Sequence, residues 1–126
     1  MKEIMAIIRM DKMNKTKEAL AQIGIGSFSA RKVLGRGKGM VDFSILNGAK
    51  DGIEEAISQL GQGQKLIPKR LLTLIVPGKK VNEIVKTIIK INQTGKAGDG
   101  KIFVMPVNES IRIHTGEKGE GTLDVE

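Results

Sequence analysis

"KRLLTLIVPGKKVNEIVKTIIKINQTGKAGDGKIFVMPV", residues 69–107, decides the fold. Its opening, "KRLLTLIVP", is a continuous apolar run closed by Pro77, the pattern of a strand buried on both faces. Residues 81–93 then place Val81, Ile84, Val85, Ile88 and Ile89 at i, i+3, i+4, i+7 and i+8, which predicts an amphipathic helix. A glycine-rich turn, "TGKAGDGK", follows, and "KIFVMPV" reads as the returning strand.

The N-terminal part repeats this order. "EIMAIIRM", 3–10, reads as a buried strand. Asn14 is expected to cap a helix whose apolar face is Met13, Thr16, Leu20 and Ile23, with Gly24 ending it. "SFSARKVL", 27–34, is a weaker strand. Strand–helix–strand twice over predicts an α+β fold: a ferredoxin-like double βαβ sandwich, in a single domain over 1–126. Two helices cover one face of such a sheet, and the strands are apolar on both, so oligomerisation is expected. "SIRIH", 110–114, alternates strictly and predicts a further short strand, with Ile111 and Ile113 on one face. The polar tail, 115–126, is expected to be loosely held. Between the halves, Gly35 to Gly63 holds seven glycines. This stretch is expected to be a long, mobile excursion carrying one short helix, with Ile53, Ala56, Ile57 and Leu60 at helical spacing.

Composition narrows the function classes. The chain has 126 residues, 40% apolar, and no apolar run near the roughly 18 residues of a membrane helix. "MKEIMAIIRMDK" lacks a small-residue cleavage site, so the start reads as a strand and not as a signal peptide. There are no cysteines, which removes thiol nucleophiles and disulfides and suits the cytoplasm. One histidine is too few for a His-built metal site. A net charge of +7 favours anionic partners. With no Trp or Tyr to stack on bases, a nucleotide or other small anion fits better than nucleic acid. A basic surface that only confers solubility fits the composition equally well. No nucleophile, base and acid assemble, so an enzyme is not expected.

Two glycine clusters could bind an anion: "GRGKG", 35–39, and "TGKAGDGK", 94–101. Glycine lets backbone N–H groups converge, and Arg36, Lys38, Lys96 and Lys101 add charge. Thr94 offers a hydroxyl, and Asp99 is expected to fix the turn through backbone N–H groups. Each cluster alone reads more readily as a flexible turn with solvated lysines than as an anion site. Their places at strand ends, with Arg112 on a later strand, point to a shared pocket.

At "TGKAGDGKIFVMPVNESIRIHTGE", 94–117, the chain closely resembles the C-terminal signature of the PII nitrogen-regulatory proteins. The likeness extends to "MKEIMAIIRMDKMNKTKEALAQIGI", "KVLGRGKG" and "LIPKRLLTLIVP", leaving out roughly residues 40–65. The resemblance implies a trimer with ATP or ADP in the clefts between subunits. It also implies 2-oxoglutarate bound with Mg²⁺ beside the phosphates, and a target-docking T-loop at about 37–66. It implies nucleotide contacts from Ser29, Gly35, Gly37, Lys38, Ile75, Gly98, Asp99, Gly100, Lys101 and Arg112, and a 2-oxoglutarate contact from Lys69. Two positions depart from the pattern. His114 stands where a second phosphate arginine is usual, and either meets phosphate as a titrating group or is a solvated strand histidine. Gly39 stands where the usual glutamine ligates Mg²⁺ and meets 2-oxoglutarate, which puts that site in question unless Gln62 or Gln64 swings in. The loop is about eleven residues longer than the family pattern and has no tyrosine, which excludes tyrosine uridylylation. Such loops resemble those of PII-like proteins encoded beside nitrogenase genes. That implies a homotrimer, or a hetero-oligomer with a paralogous subunit, acting on dinitrogenase. The face of Ile53, Ile57 and Leu60 either docks on the target or packs on the chain's own core. Regulation of an ammonium transporter or of glutamine synthetase is the alternative within the family. A basic nucleic-acid-binding module is the alternative outside it.

Overall fold

The structure, a computed structural model, describes residues 1–36 and 66–124. Its elements run β1 (Lys2–Arg9), α1 (Met13–Gln22), β2 (Ser29–Gly35), β3 (Ile67–Val76), α2 (Val81–Asn92) and β4 (Lys101–Pro106). The strands form one sheet in the order β2–β3–β1–β4, with every neighbouring pair antiparallel. This is the expected α+β ferredoxin-like arrangement.

The sheet has one filled face and one open face. Alternate residues of β1 and β3 point to the helices: Ile4, Ala6 and Ile8 from β1, and Leu72, Leu74 and Val76 from β3. They are buried against Leu20 of α1 and Ile84 and Ile88 of α2. At roughly 2 kcal/mol for each fully buried aliphatic side chain, this layer is the main source of stability. Asn92 ties the two helices together: its Nδ2 donates to the Thr16 hydroxyl at 3.0 Å and to Ile88 O at 2.9 Å. The amide is fixed in this orientation because Ile88 O can only accept. Asn92 Oδ1 is buried without a hydrogen-bond partner among the described residues.

The open face carries Met5 and Ile7 of β1, Leu71 and Ile75 of β3, and Phe103 of β4. Phe103 is 44% exposed and Ile75 42%. The expectation of an uncovered apolar face therefore holds within one chain.

Helix α1 ends as the sequence predicts. Gly24 has φ +85, its N–H reaches Ala21 O, and the Ile25 N–H reaches Leu20 O at 2.9 Å. This Schellman closure is sealed by the buried pair Leu20 and Ile25. The start differs. A 3₁₀ turn, Met10–Lys12, leads straight into α1, so Asn14 lies inside the first helical turn, where the non-helical backbone of a cap is not available. Helix α2 likewise follows a 3₁₀ turn, Gly78–Lys80, and buries Ile84 and Ile88 as expected. Ile89, expected on the same face, is 44% exposed.

"SIRIH" does not form a sheet strand. Only an isolated bridge, Ile111 to Lys118, is made, and Ile113 is 99% exposed. Gly116 and Gly119, both at positive φ, turn the tail back within a few residues. The backbone of 110–112 then bonds 116–119 instead of the sheet. For the same reason the tail to Asp124 is not loosely held. Its 3₁₀ turn, Glu120–Thr122, is tied by Thr122 Oγ1, 2.5 Å from the Ser110 hydroxyl and donating to Gly119 O at 2.7 Å. No helix of the described residues is long and apolar enough to cross a membrane.

Candidate functional site

Between α2 and β4 the chain makes the turn 94–100, held at three levels. Asp99 Oδ2 accepts the N–H groups of Thr94 at 2.8 Å and Gly95 at 3.1 Å, while Oδ1 accepts the Thr94 hydroxyl. The turn-fixing role expected of Asp99 is what these contacts give. Arg9, at the end of β1, bonds the whole turn from below. Its Nη1 lies 2.9 Å from Asp99 Oδ1 and 3.2 Å from Thr94 Oγ1, and its Nη2 donates to Ala97 O at 2.8 Å. Lys69 Nζ donates to Gly98 O at 2.7 Å.

Glycine is needed where the turn meets the sheet. Gly98 and Gly100 have φ +94 and +112. A Cβ on Gly100 would sit 1.8 Å from Ile7 O, so only a bare backbone can pass here.

The electrostatics follow from the geometry. Arg9 and Lys69 are cross-strand partners of like charge. The Lys69 pKa is lowered, chiefly by burial and then by Arg9, with Asp99 and Asp11 opposing. The Asp99 carboxyl is held below its ordinary value, first by the Thr94 hydroxyl and Thr94 N–H, then by Gly95 N–H and Arg9, against some desolvation. Among the described residues Lys69 makes one hydrogen bond, to Gly98 O, and its ammonium has further N–H donors; it lines the open groove.

That groove, about 650 Å³, runs along the open sheet face. It brings together Gly35, Lys69, Gly98, Gly100 and Lys101 of the expected site with apolar Met5, Ile7, Val33, Leu34, Leu71 and Phe103. Asp99 stands behind it as the turn's anchor. Ser29 and Ile75 are not in this groove. They line a smaller one, about 260 Å³, with Phe28, Thr122 and Leu123. Arg112 reaches the same region, its Nη2 3.5 Å from Thr122 O. Ile75 is six residues along β3 from Lys69, about 20 Å at the rise of a strand. His114 is exposed in the turn after Arg112 and lines neither groove. Gly37, Lys38, Gly39, Ile53, Ile57 and Leu60 lie outside the described residues.

Sequence reasoning missed Arg9, which looks like the polar end of a buried strand. No local signal marks it, because its role depends on β1 lying beside β4. It also missed the wall made by Thr122 and Leu123.

A family model described as "Nitrogen regulatory protein P-II" matches residues 1–117. This chain belongs to the P-II family. It is 44% identical to "Nitrogen fixation nifHD region GlnB-like protein 2" of Methanobacterium ivanovii over 98% of this chain and 99% of that one. It is 45% identical to "Nitrogen fixation nifHD1 region GlnB-like protein 2" of Methanosarcina barkeri, with the same coverage. Against "Nitrogen regulatory protein P-II 1" of Escherichia coli the identity is 37%, over 98% of this chain and all of that one. The resemblance seen in the glycine signature thus holds along the P-II chain, and the nitrogen-fixation-region relatives named here are more similar to it than the enterobacterial one.

Proposed function

We propose that this P-II protein senses nitrogen status by binding ATP or ADP and 2-oxoglutarate between subunits of a trimer, and that it switches off nitrogenase through the loop at 37–66. The carrying observation is the division of the site. The glycine turn with Lys69 and Lys101 lies at one end of the open face, and Ser29, Ile75 and Arg112 gather at the other. Among the described residues, no one groove of a single chain holds both sets. Two copies meeting over the open face bring the turn of one to the Ile75 end of its neighbour.

The chemistry of the first half suits polyphosphate. The turn is already built, so little ordering entropy opposes binding. Lys101 and the partly buried Lys69 supply charge where a phosphate or carboxylate would sit. Ser29, Thr73 and Thr122 make the second groove largely polar, with Ile75 and Leu123 as the apolar surfaces a base could lie against. A Mg²⁺ ion in this site would rest on phosphate and 2-oxoglutarate oxygens, since Gly39 offers no side-chain ligand. The protein's part is binding and shape change, with no catalytic step. The trimer is either of this chain alone or mixed with a paralogous subunit. The nitrogenase target rests on the naming of relatives from nitrogen-fixation regions.

Calorimetry with ATP, ADP and 2-oxoglutarate tests the sensor. Binding of a nucleotide is expected, with 2-oxoglutarate binding only when ATP is present. No nucleotide binding, by the chain alone or with a paralogous subunit, refutes it. Pull-down of dinitrogenase without 2-oxoglutarate, and its release with it, tests the target; capture of an ammonium transporter or glutamine synthetase instead would replace that target.

A further inference from the structure

We propose that Arg9 is a positioning residue for the phosphate-binding turn, setting the direction of the Gly98 N–H without touching the ligand itself. The proposal rests on the nucleotide reading above and goes beyond it by naming what holds the turn in its binding form.

Five contacts carry it. From the end of β1 the guanidinium spans the turn, with Nη1 on Thr94 Oγ1 and Asp99 Oδ1 and Nη2 on Ala97 O. Asp99 in turn holds the N–H groups of Thr94 and Gly95. Arg9 therefore fixes both ends of the turn at once, which a planar fork of five donors can do and a point charge cannot. The peptide plane supplies the consequence. In a trans peptide the C=O and N–H point in opposite directions. Arg9 holds Ala97 O, so it turns the Gly98 N–H, in the same peptide, away from itself. Gly98, Gly100 and Lys101 line the open groove and Arg9 does not. Arg9 shares the open-face side of β1 with Met5 and Ile7, and its Nη1 and Nη2 are taken up by oxygens of the turn, so the cation acts through the turn. Its charge is largely answered by Asp99 at 2.9 Å, which leaves the polarised N–H, and not the guanidinium, as the group offered to an anion.

Arg9 is otherwise costly. It stands directly across from Lys69, a like charge whose pKa it helps to lower. Two cations side by side at a strand end are unfavourable unless the turn above needs both. Here each holds a different carbonyl of that turn, Ala97 O and Gly98 O.

Titration calorimetry on the full chain separates this role from simple attraction of phosphate by charge. The variants are R9K, R9Q, D99N and the double variant R9Q/D99N, each checked for an unchanged circular dichroism spectrum. R9Q is expected to lose about tenfold in ATP affinity, and R9K to recover part of that loss. The loss should shrink from ATP to ADP and vanish for adenosine. R9Q/D99N should bind no more weakly than the worse single variant, because Arg9 works through Asp99. Unchanged ATP affinity in R9Q, equal losses for ATP and adenosine, or losses that add in the double variant would overturn the proposal. If the wild-type chain binds no nucleotide, the functional reading fails on its own account. Amide hydrogen exchange in the ligand-free protein then decides Arg9 separately. The Thr94, Gly95 and Lys96 amides should exchange faster in R9Q, and unchanged exchange would sink the positioning role.

Discussion

Gly100→Ala is the sharpest test of how the turn is seated. Its Cβ would lie 1.8 Å from Ile7 O, and its backbone has φ +112. Relief requires moving β4 off β1 by about 1.5 Å, beside the Ile7–Lys101 pair, to reach a normal carbon–oxygen contact. Strain at a positive φ costs about 1–3 kcal/mol and overpacking of a rigid neighbour about the same, so the sum is about 4 kcal/mol. That is a roughly thousandfold fall in the folded population, out of a total stability of order 10 kcal/mol. For a chain of this length it corresponds to about 15 °C in Tm. Two other glycines act as controls. Gly95 has φ +81 but open space, so Gly95→Ala should cost about 1 kcal/mol. Gly35 has neither constraint, and Gly35→Ala should lie within about 0.5 kcal/mol of the parent. Urea unfolding by circular dichroism at matched protein concentration, which an oligomer requires, measures all three. Gly100→Ala within about 1 kcal/mol of the parent, or no more costly than Gly95→Ala, would refute the close approach of the turn to β1.

Three further outcomes follow from named contacts. Asp99 has its carboxyl held low in the fold, so the turn's stabilisation is present above the ordinary aspartate pKa and is lost as pH falls through the depressed value; carboxyl shifts followed by NMR should put the Asp99 midpoint below 3.8. Lys69 is held below 10.5, so its burial as a cation disfavours the fold at neutral pH and the penalty fades as pH rises from the depressed value towards 10.5. Lys69→Met should therefore change stability by no more than about 1 kcal/mol while abolishing 2-oxoglutarate binding, as read by denaturation and calorimetry side by side. Thr16→Val leaves one N–H of Asn92 unpaired between the helices and should cost about 1–2 kcal/mol, whereas Thr16→Val with Asn92→Leu should recover most of it; both are read by urea midpoint.

Much of the fold was legible because it is written in local periodicity. The repeat of Ile84 and Ile88, and the Leu20–Gly24–Ile25 ending, are decided within one turn of helix and by one glycine. What failed depends on partners distant in sequence. "SIRIH" has a strand's alternation, but two left-handed glycines return its own tail to it first. Asn14 has a cap's chemistry, yet a 3₁₀ turn had already begun the helix upstream. At the site, the glycines and Asp99 were legible because a tight turn needs them whatever surrounds it. Arg9 was not, because its purpose appears only when β1 and β4 become neighbours, 85 residues and more apart in the chain.

The same antiparallel pairing explains why an apolar sheet face and the two separated parts of the proposed anion site occur together. Register places Lys69 and Lys101 at one end of the open face, and Ile75 and Ser29 at the other. The apolar strip between them, from Ile7 to the half-exposed Phe103, is the surface a second copy would bury. A ligand bridging two such copies binds only the assembled state, so nucleotide at a hundred times its Kd would stabilise the assembly by about 2.7 kcal/mol per site. On the proposed reading, sensing and assembly are one equilibrium. Any change that loosens the turn, whether at Arg9, Asp99 or Gly100, weakens ligand and subunit contact together, while a change confined to the helix layer, such as Thr16→Val, lowers stability without altering the ligand's share of it.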